Sequence, residues 1–137
     1  MNGTKENERI GYLTEHAVSY LAYSFGVDVS LPTTPIRYDQ VWDIGSRILR
    51  VQIKHASDII YNDNIVIGFR FGDEKYAKNE IDGIATEYNN KLYFIPIEKC
   101  ARENKLYFLI AKGYDNTKWA EDYEVSSLEK LKRILKY

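Results

Sequence analysis

The sequence holds one cysteine, three prolines and two histidines in 137 residues. A lone Cys100 cannot close an internal disulfide, and no Cys/His cluster has zinc spacing, so a reducing, cytoplasmic setting is expected. No apolar run approaches the roughly 18 residues that suggest a membrane span. The opening MNGTKENERI lacks the apolar segment of a signal peptide. No membrane partner is expected. An excess of one charge is also missing: 19 basic residues face 20 acidic ones, for a formal net charge of −1. That argues against a protein that coats DNA non-specifically, although a local basic patch can still attract phosphates. There is neither a phosphate-cradling GxxxxGK nor a GxSxG nucleophile elbow.

What is present suits a globular chain. Apolar residues make up 45% and charged residues 28%, enough for one domain over residues 1–137 with its own core. Residues 7–25 have helical periodicity, with Ile10, Leu13, Ala17, Leu21 and Phe25 as the stripe expected to face the core. Gly26 stands where a helix-ending glycine is expected. VDVSLPTTPI reads as an extended loop. Strands are expected over 37–44 and 47–55, within 59–71, and in DGIATEY and KLYFIPI around an Asn89-Asn90 turn; KLYFLIAKG reads as a further strand. GDEKYAKNE reads as a loop or short helix. Ser126 and Glu129 have capping-box spacing ahead of Leu128, Leu131, Ile134 and Leu135, which predicts a terminal helix. The order helix, strands, helix predicts an α/β fold, a central mixed sheet flanked by helices.

The segment RYDQVWDIGSRILRVQIKHA carries the chemistry. A Gly45-Ser46 turn suits a type II′ hairpin and sets its register, so that Val41 faces Arg50, Asp39 faces Gln52 and Arg37 faces Lys54. One face then carries Tyr38, Gln40, Trp42, Ile44, Leu49, Val51 and Ile53, assigned to the core. The other carries Arg37, Asp39, Val41, Asp43, Ile48, Arg50, Gln52 and Lys54. Directly opposed side chains start about 5 Å apart, so a carboxylate, an amide and an ammonium are expected to converge. Carboxylate and amide oxygens are hard ligands suited to Mg²⁺. A lysine beside them can orient water or balance phosphate charge. The same pattern also suits a solvated sheet face with cross-strand ion pairs. Both readings stay open on geometry alone.

In this context RYD at 37–39 and VQIK at 51–54 resemble the PD-(D/E)XK nuclease superfamily, in which an aspartate on one strand is followed on the next by an acidic residue, any residue, then lysine. The closest likeness is to the branch with glutamine at the middle position, which includes homing endonucleases of group I introns. The N-terminal helix with Glu15, the IDGIATEY…KLYFIPI segment and WAEDYE extend the resemblance over about residues 11–123. It implies a restriction-endonuclease-like core and a Mg²⁺-dependent DNA endonuclease, with Mn²⁺ as a substitute ion. Asp39 would be the main metal-binding carboxylate, Gln52 a ligand replacing the usual acid, Lys54 the catalytic lysine, and Glu15 the helix carboxylate completing the site. Two positions depart from the pattern: Tyr38 stands where proline is usual, and Gln52 removes a negative charge.

Other residues carry paired readings. Glu15 is either that carboxylate or an ordinary surface glutamate, and Gly11, one turn earlier, leaves that side of the helix bare. Asp43 either supports the site or ends a strand. Arg37, Arg47 and Arg50 can fork onto phosphates, and Arg37 can instead neutralise Asp39. His55, next to Lys54, is a candidate phosphate contact or a surface histidine. Cys100 is expected to be buried. The implied partner is double-stranded DNA, and cutting both strands suggests a homodimer or homotetramer. The alternatives are a Holliday-junction-resolvase-like nuclease, or an inactive DNA-binding or assembly module with the same fold.

Overall fold

The structure, a computed structural model, describes residues 2–34, 36–61, 64–70, 80–99, 105–109 and 120–136. Helix α1 spans Asn2–Ser24. After it come β1 (Asp28–Ser30), β2 (Gln40–Asp43), β3 (Ile48–Ile53), β4 (Ser57–Tyr61), β5 (Asn64–Arg70), β6 (Gly83–Tyr88), β7 (Lys91–Pro96), β8 (Lys105–Leu109), β9 (Glu124–Val125) and helix α2 (Leu128–Leu135). Short 3-10 turns cover Ile97–Lys99 and Ala120–Tyr123.

Six strands form one sheet in the order β1-β2-β3-β6-β7-β9; β4, β5 and β8 form a second. The large sheet is mixed, because β3 and β6 run parallel while its other neighbours are antiparallel. Both helices pack on one of its faces. Val18, Leu21 and Ala22 of α1 and Leu131 and Ile134 of α2 share a core with Trp42, Leu49, Val51, Ile53, Ala85 and Phe94. Trp42 and Phe94 stack at 5.5 Å between ring centroids. A second cluster, Ala56, Ile81, Ile84, Tyr93, Ile95 and Ile97, covers the opposite face.

Helix α1 begins earlier than its periodicity suggests, and its buried stripe is rotated. Thr14, Val18, Leu21 and Ala22 are buried, whereas Ile10 and Leu13 are exposed. Small and β-branched side chains let the helix sit close to the sheet, while the bulky arc that includes Tyr12, Leu13, Tyr20 and Tyr23 faces outward. Its end is as expected: Gly26 has φ +88°, Val27 N–H donates to the Ala22 carbonyl and Gly26 N–H to Tyr23, a Schellman motif.

The strand expected within 59–71 is β5, and an additional strand, β4, pairs with it antiparallel. Three further points differ from expectation. The VDVSLPTTPI segment contains β1, paired with β2. The α2 cap is Ser127, not Ser126: its hydroxyl accepts the Lys130 N–H at 3.0 Å. The two-residue strand β9 was not anticipated; it pairs with β7. The Asn89-Asn90 turn does form, with φ of 50° and 63°, as a type I′ hairpin requires. Cys100, most of GDEKYAKNE and the end of KLYFLIAKG lie outside the described residues.

Candidate functional site

The β2–β3 hairpin has the expected register where it is paired: Gln40 with Val51, Val41 with Arg50, Trp42 with Leu49 and Asp43 with Ile48. Gly45 has φ +90° and Ile44 N–H donates to the Arg47 carbonyl, closing the turn. Faces alternate as the pattern requires from Gln40 onward; Tyr38, expected on the same core face, packs instead against the second cluster. Gln40, Trp42, Ile44, Leu49, Val51 and Ile53 are buried, while Arg50, Gln52 and Lys54 are half-buried.

The ladder stops one residue short of Asp39. The expected direct pairing of Asp39 with Gln52, and of Arg37 with Lys54, is absent from the sheet. Instead Asp39 N–H donates to the Val51 carbonyl at 2.9 Å, and Asp39 Oδ2 accepts the Ile53 N–H at 2.9 Å. Thus the carboxylate stands in for the next backbone acceptor of β2. It lies beside β3, just beyond the end of the β2–β3 ladder. The reason is backbone satisfaction: an Ile53 N–H without an acceptor would cost about 1–3 kcal/mol.

Lys54, just past the end of β3, acts on this carboxylate, and Gln52, two residues earlier, shares the face of Lys54. Burial raises the Asp39 pKa, against a lowering by the Ile53 hydrogen bond and then by the Lys54 charge. Gln52 Nε2 lies 3.4 Å from the Ile53 carbonyl. Glu15 is the second carboxylate. Burial raises its pKa, and the Asp39 charge raises it further, against a lowering from His16. So the helix carboxylate and the strand carboxylate feel one another, although α1 packs on the face opposite Gln52 and Lys54. Among the described residues no group of three His, Cys, Asp or Glu side chains is placed to hold a metal. The two carboxylates that act on one another here are Asp39 and Glu15.

The placement of α1 depends on a residue that its pattern hid. Gln40 is buried, and its Nε2 donates to Ser19 Oγ at 2.8 Å and to the Glu15 carbonyl at 3.2 Å, while its Oε1 accepts Trp42 Nε1–H at 2.9 Å. It therefore fixes the turn of α1 that carries Glu15 against the strand that leads out of Asp39. A second tie joins Thr14 Oγ1 to His55 Nδ1 at 3.2 Å. Thr14 also donates to the Ile10 carbonyl, which leaves it the acceptor from an Nδ1–H. Gly11 is exposed, and nothing lies within 4 Å of where its Cβ would be.

The arginines are engaged by carboxylates that the motif did not flag. Arg37 pairs with Glu80 at 2.8 Å. Arg50 pairs with Asp82 at 3.2 Å, and Asp82 also accepts the Arg50 N–H at 2.7 Å. Arg47 reaches Asp82 at 3.5 Å. Asp43 accepts the Gly45 N–H and serves the turn. Glu80 and Asp82 sit about 30–45 residues away in sequence, at the entry to β6, and only the parallel β3–β6 pairing brings them here.

No family model and no curated protein matches the chain. Among solved structures it is similar to a bacterial homing endonuclease, I-Ssp6803I, with a TM-score of 0.66 and 17% identity, over 90% of this chain and 89% of that one. At this identity the likeness is one of fold, and it extends over nearly the whole of both chains. Among the described residues no helix is long and apolar enough to cross a membrane.

Proposed function

We propose that the chain is a divalent-metal-dependent DNA endonuclease of the homing type. The observation that carries this reading is the Asp39 carboxylate held on the Ile53 N–H, under the charge of Lys54 and in electrostatic contact with Glu15. The fold shared with a homing endonuclease supports it.

The donor set fits Mg²⁺ or Mn²⁺. Two carboxylates in a partly desolvated place, one raising the other's pKa, form a site whose cost a divalent cation would relieve. Asp39, the Gln52 carboxamide oxygen and Glu15 would hold it. Such an ion neutralises phosphate charge and makes a neighbouring water more acidic. The chain's own groups do the rest. Asp39 keeps its orientation through the Ile53 N–H. The Lys54 ammonium orients the attacking water or steadies charge on the phosphoryl oxygens. The water oxygen bonds to phosphorus, the P–O3′ bond breaks, and a proton passes to the 3′ oxygen, leaving a 3′-hydroxyl and a 5′-phosphate. Arg37, Arg47, Arg50 and His55 would contact the duplex backbone, exchanging Glu80 and Asp82 for phosphates where they do. Two strands call for two copies of the site, hence a homodimer or homotetramer.

Incubation with supercoiled plasmid and Mg²⁺ tests this. Nicking or linear product is expected from the native chain, with a loss of about a hundredfold or more in Lys54→Ala and Asp39→Ala. Cutting that survives both substitutions overturns the assignment. One observation favours a second reading, a DNA-binding module without catalysis: the described residues offer two carboxylates here, not three. Calorimetry separates the two, because that module would bind duplex and take up no Mg²⁺ at millimolar concentration.

A further inference from the structure

Away from the site just described, α2 is strongly basic. Lys130, Lys132, Arg133 and Lys136 lie within or just after it, against Glu129. Lys132 and Lys136 line a cavity of about 340 Å³ between the last turn of α2 and the β2–β3 turn; Ile44, Ser46, Arg47 and Leu135 complete the lining. Three cationic side chains thus line a cleft with an apolar floor, with no carboxylate among the described lining residues, on a chain whose net charge is −1. The negative end of the α2 dipole accounts for some of this, since it favours cations in the last turn. It does not account for Arg47, which the fold brings from another element. The tie of Arg47 to Asp82, at 3.5 Å and half exposed, is weak enough to be shared. Like charges gathered in a cleft repel one another, and an anion relieves them.

We propose that this cleft is a second phosphate site, which binds the backbone of duplex DNA at a distance from the reaction centre. The proposal rests on the endonuclease reading and extends its footprint. Arg47 and Lys54 bracket β3, seven residues and roughly 20 Å apart at strand rise, and the odd spacing turns them to opposite faces of the sheet. A ligand that engages both must be at least that long and pass around the end of the hairpin, which a polynucleotide can do and a mononucleotide cannot. The cleft takes phosphate oxygens through the Arg47 guanidinium, the two ammonium groups and the Ser46 hydroxyl. It carries no base recognition, so its contribution is independent of sequence and sensitive to salt.

The test is fluorescence anisotropy with a duplex of about 30 base pairs in EDTA, between about 50 and 200 mM salt. The full chain, Lys132→Gln/Lys136→Gln, Lys136→Gln alone, and a charge-matched control, Lys5→Gln/Lys91→Gln, are compared. In the double variant the slope of log K against log salt should become shallower by about 2, and in the single variant by about 1. The control should keep the native slope. An unchanged slope in both cleft variants, or an equal fall in the control, overturns the cleft, while native duplex binding leaves the endonuclease reading standing. A native chain with no salt-dependent duplex binding overturns both.

Discussion

The Asp39 carboxylate is asked to do two things, and Asp39→Asn and Asp39→Ala separate them. Its Oδ2 accepts the Ile53 N–H at 2.9 Å, at a residue that is itself buried. Alanine leaves that N–H without an acceptor, which costs about 1–3 kcal/mol. Asparagine keeps a carbonyl oxygen in place and removes only the charge. The sign of that second effect follows from the raised pKa. Burial pushes the Asp39 carboxyl up despite the Ile53 hydrogen bond and the Lys54 charge, so the fold prefers the neutral form more than water does. Asparagine mimics that form and also removes the charge that raises Glu15. In urea denaturation at pH 7 without divalent ions, Asp39→Asn should therefore match or slightly exceed the native chain. Asp39→Ala should fall about 2 kcal/mol below it. Both should lose DNA cleavage. Equal destabilisation by the two substitutions would refute the account of Asp39 as a charged group held on β3 at a cost to stability.

Further outcomes follow from the same geometry. Gly83→Ala would drive a Cβ into the Phe94 ring and to 2.7 Å from the Ile95 carbonyl oxygen, so it should cost about 3 kcal/mol in chemical denaturation. Gly11→Ala meets nothing and should gain about 0.5–1 kcal/mol. Gln40→Leu removes the acceptor of buried Trp42 Nε1–H and the ties to α1, costing about 1–3 kcal/mol. The pH dependence is set by Glu15 and Asp39, both raised from ordinary values of 4.5 and 3.8. Their contribution is fully present below those values and is lost as pH rises through the higher folded pKa values. A bound cation reverses that loss, so the Tm gain from Mg²⁺ should be larger at pH 8 than at pH 5. At ten times its Kd the ion contributes about 1.4 kcal/mol, and an equal gain at both pH values counts against carboxylate ligation.

Much of the hairpin is legible in sequence because its signals agree. A Gly-Ser turn, strict alternation and a two-residue connection fix register and faces together. The end of the ladder at Gln40 is not legible, since RYDQVWD keeps alternating through the point where a side chain replaces a backbone acceptor. The α1 stripe misleads for a related reason: two apolar arcs compete, and the bulkier one, with Leu13 and Tyr20, is exposed. Only contact with the sheet selects Thr14, Val18 and Ala22. The strands β1 and β9, of three and two residues, are too short for periodicity to register. Glu80 and Asp82 belong to the arginines through a parallel pairing, which leaves no local signature. Gln40 reads as a polar interruption in an apolar face and is instead the link that seats Glu15.

Whether these groups gather a cation decides whether the fold is an enzyme here. Crystals soaked in Mn²⁺ and measured for anomalous scattering test it most directly. A peak bridging the Asp39 carboxylate and the Gln52 carboxamide oxygen, within reach of Glu15, is the predicted result. Saturating Mn²⁺ that leaves this position without a peak, or settles only elsewhere on the chain, would contradict it.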